Sequence, residues 1–128
     1  MTHATVTTGQ RGEAIARLYL QQQGFRIEAA NWRLGKLGEL DLVAFHPLHG
    51  ILAFVEVKTR KTLLHGEPIE AVDSRKVGQI LALAEAYLAK CPPQTDCQIR
   101  FDVIGVYFAG KGRPAEVVHI ENAFGANG

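Results

Sequence analysis

The sequence predicts a three-layer α/β sandwich in which a mixed β-sheet is flanked by helices. Two amphipathic segments and five runs rich in β-branched and aromatic residues follow one another as helix, three strands, helix, two strands. The third run, "ILAFVEVK" (51–58), is apolar at successive positions, so both of its faces need cover and it belongs mid-sheet. The second and third runs are joined by a short turn and form an antiparallel hairpin.

Each element has its own signals. The first helix is expected over residues 9–23: Thr7 and Gln10 stand at capping-box spacing, and Gly24 can end the helix in a left-handed turn. Ala14, Ile15, Leu18 and Tyr19 share a face, widened by Ala16 and Leu20, with Glu13 at its margin. Strands are expected over 25–33, 39–45 and 51–58, the first two separated by the glycine turn "LGKLG". A loop with Gly66 and Pro68 follows. The second helix should begin at the N-cap Asp73 and stop before Pro92, with Val77, Ile80, Leu81, Ala84 and Leu88 as its apolar stripe. The last strands are expected over 99–108 and 115–121, and Met1–Thr8 and Gly125–Gly128 as loose ends.

Composition bounds the function. The 128 residues suit one domain, 1–128, able to bury its own core. No apolar stretch approaches a membrane span and the N-terminus lacks a secretory pattern, so a cytoplasmic protein is expected. A net charge of +1 makes no global case for a polyanionic partner; any such case rests on local clustering. Cys91 and Cys97 read as free thiols, and "HPLH" (46–49) as a turn rather than a metal motif.

Strand alternation places the charges. Glu56 and Lys58 are two apart and share a face, as do Glu39 and Asp41. The loop "PLHG" makes His46 and Ile51 the closing pair of the hairpin, which sets Asp41 opposite Glu56 and Glu39 opposite Lys58 on one patch. Neighbouring carboxylates tolerate closeness only when protonated or bridged by a cation. Oxygen ligands suit a hard divalent cation, Mg²⁺ with Mn²⁺ as a substitute, which lowers the pKa of a bound water and polarises a phosphoryl oxygen. Lys58 could neutralise the transition state or orient the attacking water. The spacing fits equally a buried salt-bridge network, Glu39 with Lys58 and Asp41 or Glu56 with Arg60. Buried ion pairs gain little over apolar replacements, so a cluster this dense is better explained by use.

"GELD" followed after fourteen residues by "EVK" resembles the PD-(D/E)XK motif of restriction-endonuclease-like nucleases, whose core has the same order of elements. The blocks "GQRGEAIARLYLQQQGF", "NWR", "GELDLVAF", "FVEVKTR" and "RFDVIGVY" together resemble the YraN family of predicted bacterial endonucleases, over about residues 9–121. The resemblance implies Asp41 and Glu56 as metal ligands, Lys58 as the catalytic lysine and the backbone carbonyl of Val57 as a further ligand. It implies that Glu13 completes the metal site, as a first-helix glutamate does in the Holliday-junction-resolvase branch. Leu40 stands where the motif has proline, and Gln79 has Leu83 rather than tyrosine four residues on, which departs from the exonuclease branch. Junction-cutting relatives act as pairs, which makes a homodimer plausible.

Positive side chains around such a cluster would meet the flanking phosphates. Arg33, Lys36, Arg60, Lys61, Arg75 and Lys76 are the candidates, Arg75 and Lys76 foremost because they open a helix, with Gln79 one turn on. The expected function is Mg²⁺-dependent hydrolysis of phosphodiester bonds in nucleic acid, DNA first, with Glu39 as a supporting carboxylate. The alternative is a nucleic-acid-binding or adaptor module with little activity of its own. A small-molecule phosphohydrolase lacks support, since the sequence contains no phosphate-binding glycine loop of the G-x-x-x-x-G-K-[ST] type.

Overall fold

The computed structural model describes residues 5–61 and 72–125. The element order is α1 (Thr8–Gln22), β1 (Arg26–Leu34), β2 (Gly38–His46), β3 (Ile51–Arg60), α2 (Ser74–Lys90), β4 (Gln98–Tyr107) and β5 (Glu116–Ile120). The loop expected at Gly66 and Pro68 lies outside the described residues. The five strands form one sheet in the order β1-β2-β3-β4-β5. Only the β3–β4 pair is parallel, because α2 carries the chain from one to the other. The helices cover opposite faces: Ala16 and Leu20 of α1 pack with Leu42, Val55 and Ile104, and Ile80, Leu83 and Tyr87 of α2 with Val43, Phe54 and Val103. This is the three-layer arrangement.

α1 starts where its cap dictates. The Thr7 hydroxyl accepts from the Gln10 N–H at 3.0 Å, and the Gln10 side chain accepts from the Thr7 N–H at 2.9 Å. Thr7 and Thr8 therefore belong to the helix start and are not loose. The buried face is Gly12, Ala16 and Leu20, with Ile15 and Tyr19 beside it; Leu18 is exposed, contrary to expectation, and so is Ala14. The helix lies so close to β3 that a Cβ on Gly12 would stand 3.2 Å from Thr59 Cβ, and only glycine at this point allows that approach. In α2 the Asp73 carboxylate caps the Lys76 N–H at 2.9 Å. Its buried face runs through Ile80, Leu83, Ala84 and Tyr87, rotated from the expected stripe; Leu81 is only half-buried, because the tyrosine fills the space above Phe54 and Trp32.

Across from Val55 of β3, a polar clasp centred on Asp102 ties β4, β5 and α1 together. The Asp102 carboxylate is fully buried and accepts from Arg100 Nε and Nη2, each at 2.9 Å, from the Asn122 N–H at 2.9 Å and from His119 Nε2 at 2.7 Å. A carboxylate only accepts here, so Nε2 carries the proton and Nδ1 faces the Tyr19 hydroxyl at 3.1 Å. Burial pushes this carboxyl upward, but His119, Arg100 and the Asn122 amide outweigh it and hold it below the ordinary aspartate value.

Two outcomes follow for stability. Gly12→Ala is expected to destabilise the chain by about 1–3 kcal/mol through the Thr59 collision, and to cost less in a Thr59→Ala background, which removes the hydroxyl and methyl but keeps the Cβ; denaturant titration of the four chains measures both. Asp102→Ala is expected to cost about 3–5 kcal/mol, because it strands the Arg100 guanidinium.

Candidate active site

The hairpin register is the one the loop length predicts: His46 closes on Ile51, and the ladder runs back to Leu42–Val55. There it ends, and β2 and β3 separate. Beyond it, among the described residues, β2 pairs with β1 alone and β3 with β4 alone. Asp41 stands at the point of separation. Its Oδ2 accepts the Val57 N–H at 2.9 Å, so a side chain takes the amide that the ladder has released.

The strands also roll at this point. Leu42 packs in the core beneath α1, whereas Leu40 packs in the core beneath α2. Residues two apart share a face in a regular strand, so the alternation breaks at Asp41. The expectation of one patch for Glu39, Asp41, Glu56 and Lys58 is corrected accordingly. Glu56 and Lys58 continue the Phe54 face towards α2, while Glu39 and Asp41 line an open cavity of about 810 Å³ on the α1 side, with Glu13, Asn31, Val57 and Thr59. Asp41, turned sideways between the strands, hydrogen-bonds to the Glu56 carboxyl and connects the two sides.

Glu56 is buried, with 7% of its surface exposed. Two ammonium groups approach it: Lys58 Nζ at 3.7 Å and Lys76 Nζ at 3.6 Å from Oε1. Neither the Glu39–Lys58 pair nor a pair with Arg60 is found among the described residues; Arg60 Nη1 donates instead to the Thr59 carbonyl at 3.0 Å. Lys76, expected to face nucleic acid, sits on the carboxylate. Gln79 reaches the β1–β2 turn, its Nε2 donating to the Leu37 carbonyl at 2.6 Å, which leaves the second N–H of the amide. Arg75 is exposed beside Lys36 along a shallow groove, and the exposed Arg33 stands opposite Glu39 in the β1–β2 register. On α1, Glu13 Oε1 accepts from Asn31 Nδ2 at 2.6 Å.

A family model described as "Uncharacterised protein family UPF0102" matches residues 12–106, which takes in Glu13, Asp41, Glu56, Lys58 and Lys76. The chain belongs to the UPF0102 family. A UPF0102 protein of Natranaerobius thermophilus is 42% identical over 116 residues, 91% of this chain and 95% of its own. One from Syntrophotalea carbinolica is 45% identical over 128 residues, 100% of this chain and 99% of its own. One from Pelobacter propionicus is 46% identical over 117 residues, 91% of this chain and 81% of its own. The matches span the whole UPF0102 fold, sheet and both helices, rather than an isolated motif.

The electrostatics of this UPF0102 site are those of crowded acids. Burial, then the Asp41 charge, raises Glu56 to about 7, against the opposing pull of Lys76 and Lys58. Burial raises Asp41 as well, countered by the Val57 N–H and by Lys76. Glu13 is raised by partial burial and by Asp41 and Glu39, and lowered by the Asn31 amide. Asn31 is the member of this group to which sequence reasoning assigned no role. Its signal was an asparagine inside a strand, a setting from which that residue is depleted.

A raised acid binds its proton more tightly in the folded chain than in the unfolded one. Its stabilisation is complete below the unfolded value and is lost as pH rises through the folded value. Folding stability is therefore expected to fall between about pH 4.5 and 7, by at most about 1.4 kcal/mol per pH unit for one proton. Glu56→Gln should flatten that decline, as read from denaturant midpoints across the range.

Proposed function

We propose that this UPF0102 chain hydrolyses phosphodiester bonds in nucleic acid, DNA in the first instance, with Mg²⁺ or Mn²⁺ as its cofactor. The reading rests on the pairing of the half-buried Asp41 carboxyl with the buried Glu56 at the β2–β3 opening, with the Lys58 amine beside it. Two desolvated acids in contact carry an energetic penalty that a proton or a cation relieves. The residues present fit a hard cation: Asp41 and Glu56 would hold it, with Glu13 across the cavity and Glu39 as a supporting charge. The Val57 N–H faces the gap, and a strand residue's carbonyl projects to the same side as its N–H, so the Val57 carbonyl is a fourth oxygen available there. A bound divalent ion would supply an acidified water and a polarised phosphoryl oxygen.

The protein's own groups do the rest. Lys58 would meet negative charge on the scissile phosphate and orient the attacking water. Once a cation neutralises Glu56, Lys76 becomes available to a neighbouring phosphate, and Arg75, Arg60 and Arg33 border the site as further phosphate contacts. Gln79, with one N–H on the Leu37 carbonyl, keeps the other as a weaker candidate.

A second reading, a binding or adaptor module of the same fold, is favoured by one observation. Among the described residues no three His, Cys, Asp or Glu side chains gather as a group able to hold a metal ion, and the Lys76 ammonium lies against Glu56 where a cation would. A substrate panel of duplex, single-stranded, flapped and four-way DNA, plus RNA, with Mn²⁺ present separates the two. Metal-dependent cleavage that drops about 100-fold or more in Asp41→Ala and Lys58→Ala supports the nuclease. Binding without cleavage supports the module, and a Lys58→Ala chain that cuts as fast as wild type removes Lys58 from the chemistry.

A further inference from the structure

We infer that Asn31 is a positioning residue that aims the Glu13 carboxylate into the cation site; the inference rests on the metal-dependent reading above.

Asn31 lies inside β1 with φ at +53°, one of two non-glycine residues with positive φ among the described residues. Most side chains resist that conformation, and asparagine is among the few that accept it. The backbone turns over there. Ala30 packs in the core beneath α1, and Trp32 in the core beneath α2. The β1–β2 pairing passes from Ala30–Leu42 to Trp32–Leu40, which leaves Asn31 across from Asp41. Both strands thus roll at the same level, and each presents a polar side chain to one cavity at the roll.

The Asn31 side chain then reaches a different element. Its Nδ2 donates to Glu13 Oε1 at 2.6 Å, joining the acid on α1 to the sheet that carries Asp41. This bond holds one carboxylate oxygen and leaves the other outside it, on a residue that lines the cavity. The donor is a neutral amide, which fixes the acid without adding positive charge to that of Arg17, which lines the same cavity.

A purely conformational role makes a different prediction. Glycine accepts positive φ without strain, so Asn31→Gly would then be silent. The test is Mn²⁺ calorimetry on the full-length wild type and on Asn31→Gly, Glu13→Gln, Asn31→Gly/Glu13→Gln and Asp41→Asn, with the melting temperature of each recorded. Asn31→Gly is expected to weaken Mn²⁺ binding about tenfold at an unchanged melting temperature, and to cause no further loss in the Glu13→Gln background. Asn31→Ala, which loses both donor and conformational tolerance, should weaken binding and also lower the melting temperature. Equal affinity for wild type and Asn31→Gly, or the same loss with and without Glu13, overturns the positioning role. If Asp41→Asn still abolishes binding in that case, the metal reading stands. Mn²⁺ titrations that are flat, or identical for wild type and Asp41→Asn, overturn both together.

Discussion

The separation of β2 from β3 after Leu42–Val55 is the constraint from which the rest of the site follows. A ladder that opens inside a domain releases backbone amides that must find partners. Asp41 supplies one to Val57, and in doing so its carboxylate is drawn into the gap and away from water. Glu56 on the adjoining strand is buried by the α2 layer, so the two acids meet in a place poorly suited to charge. The lysines at Glu56 and the amide at Glu13 are responses to that crowding.

The two acidic clusters of this fold solve the same problem in opposite ways. Asp102 is more deeply buried than Asp41 or Glu56, yet its oxygens meet a bidentate guanidinium, an imidazole N–H and a backbone amide, and it stays ionised. Asp41 and Glu56 face each other with two ammonium groups at 3.6 and 3.7 Å, too distant for tight hydrogen bonds, and their acidity is weakened. A network built for stability satisfies its charge. The looser pairing of Asp41 and Glu56, beside an open cavity, is what supports the metal-dependent reading proposed above.

Much of the scaffold was legible because local chemistry dictates it. The capping box at Thr7 and Gln10, the Asp73 cap and the four-residue turn after His46 each act over a few residues, and each is found where the sequence places it. The helix faces were less legible. Leu83 and Tyr87 bury where Leu81 and Leu88 were expected to dominate, since which side of α2 turns inward depends on aromatic packing from Trp32 and Phe54. The adjacency of Asp41 and Glu56 was read from the hairpin register and holds, while the common face read with it fails, because two-residue alternation assumes a flat ladder.

By itself, then, the sequence determined the order of elements, the central place of β3, the hairpin register and the acids and lysine that could meet. These follow from periodicity, caps and turn length, all short-range. The tertiary structure alone decided that the strands roll at Asn31 and Asp41, that Lys76 lies against Glu56, and that Asn31 holds Glu13. Those contacts join residues 18 to 20 positions apart in sequence, and nothing in local propensity ranks them. They exist only once α1 and α2 have docked on opposite faces and fixed which way each strand must turn.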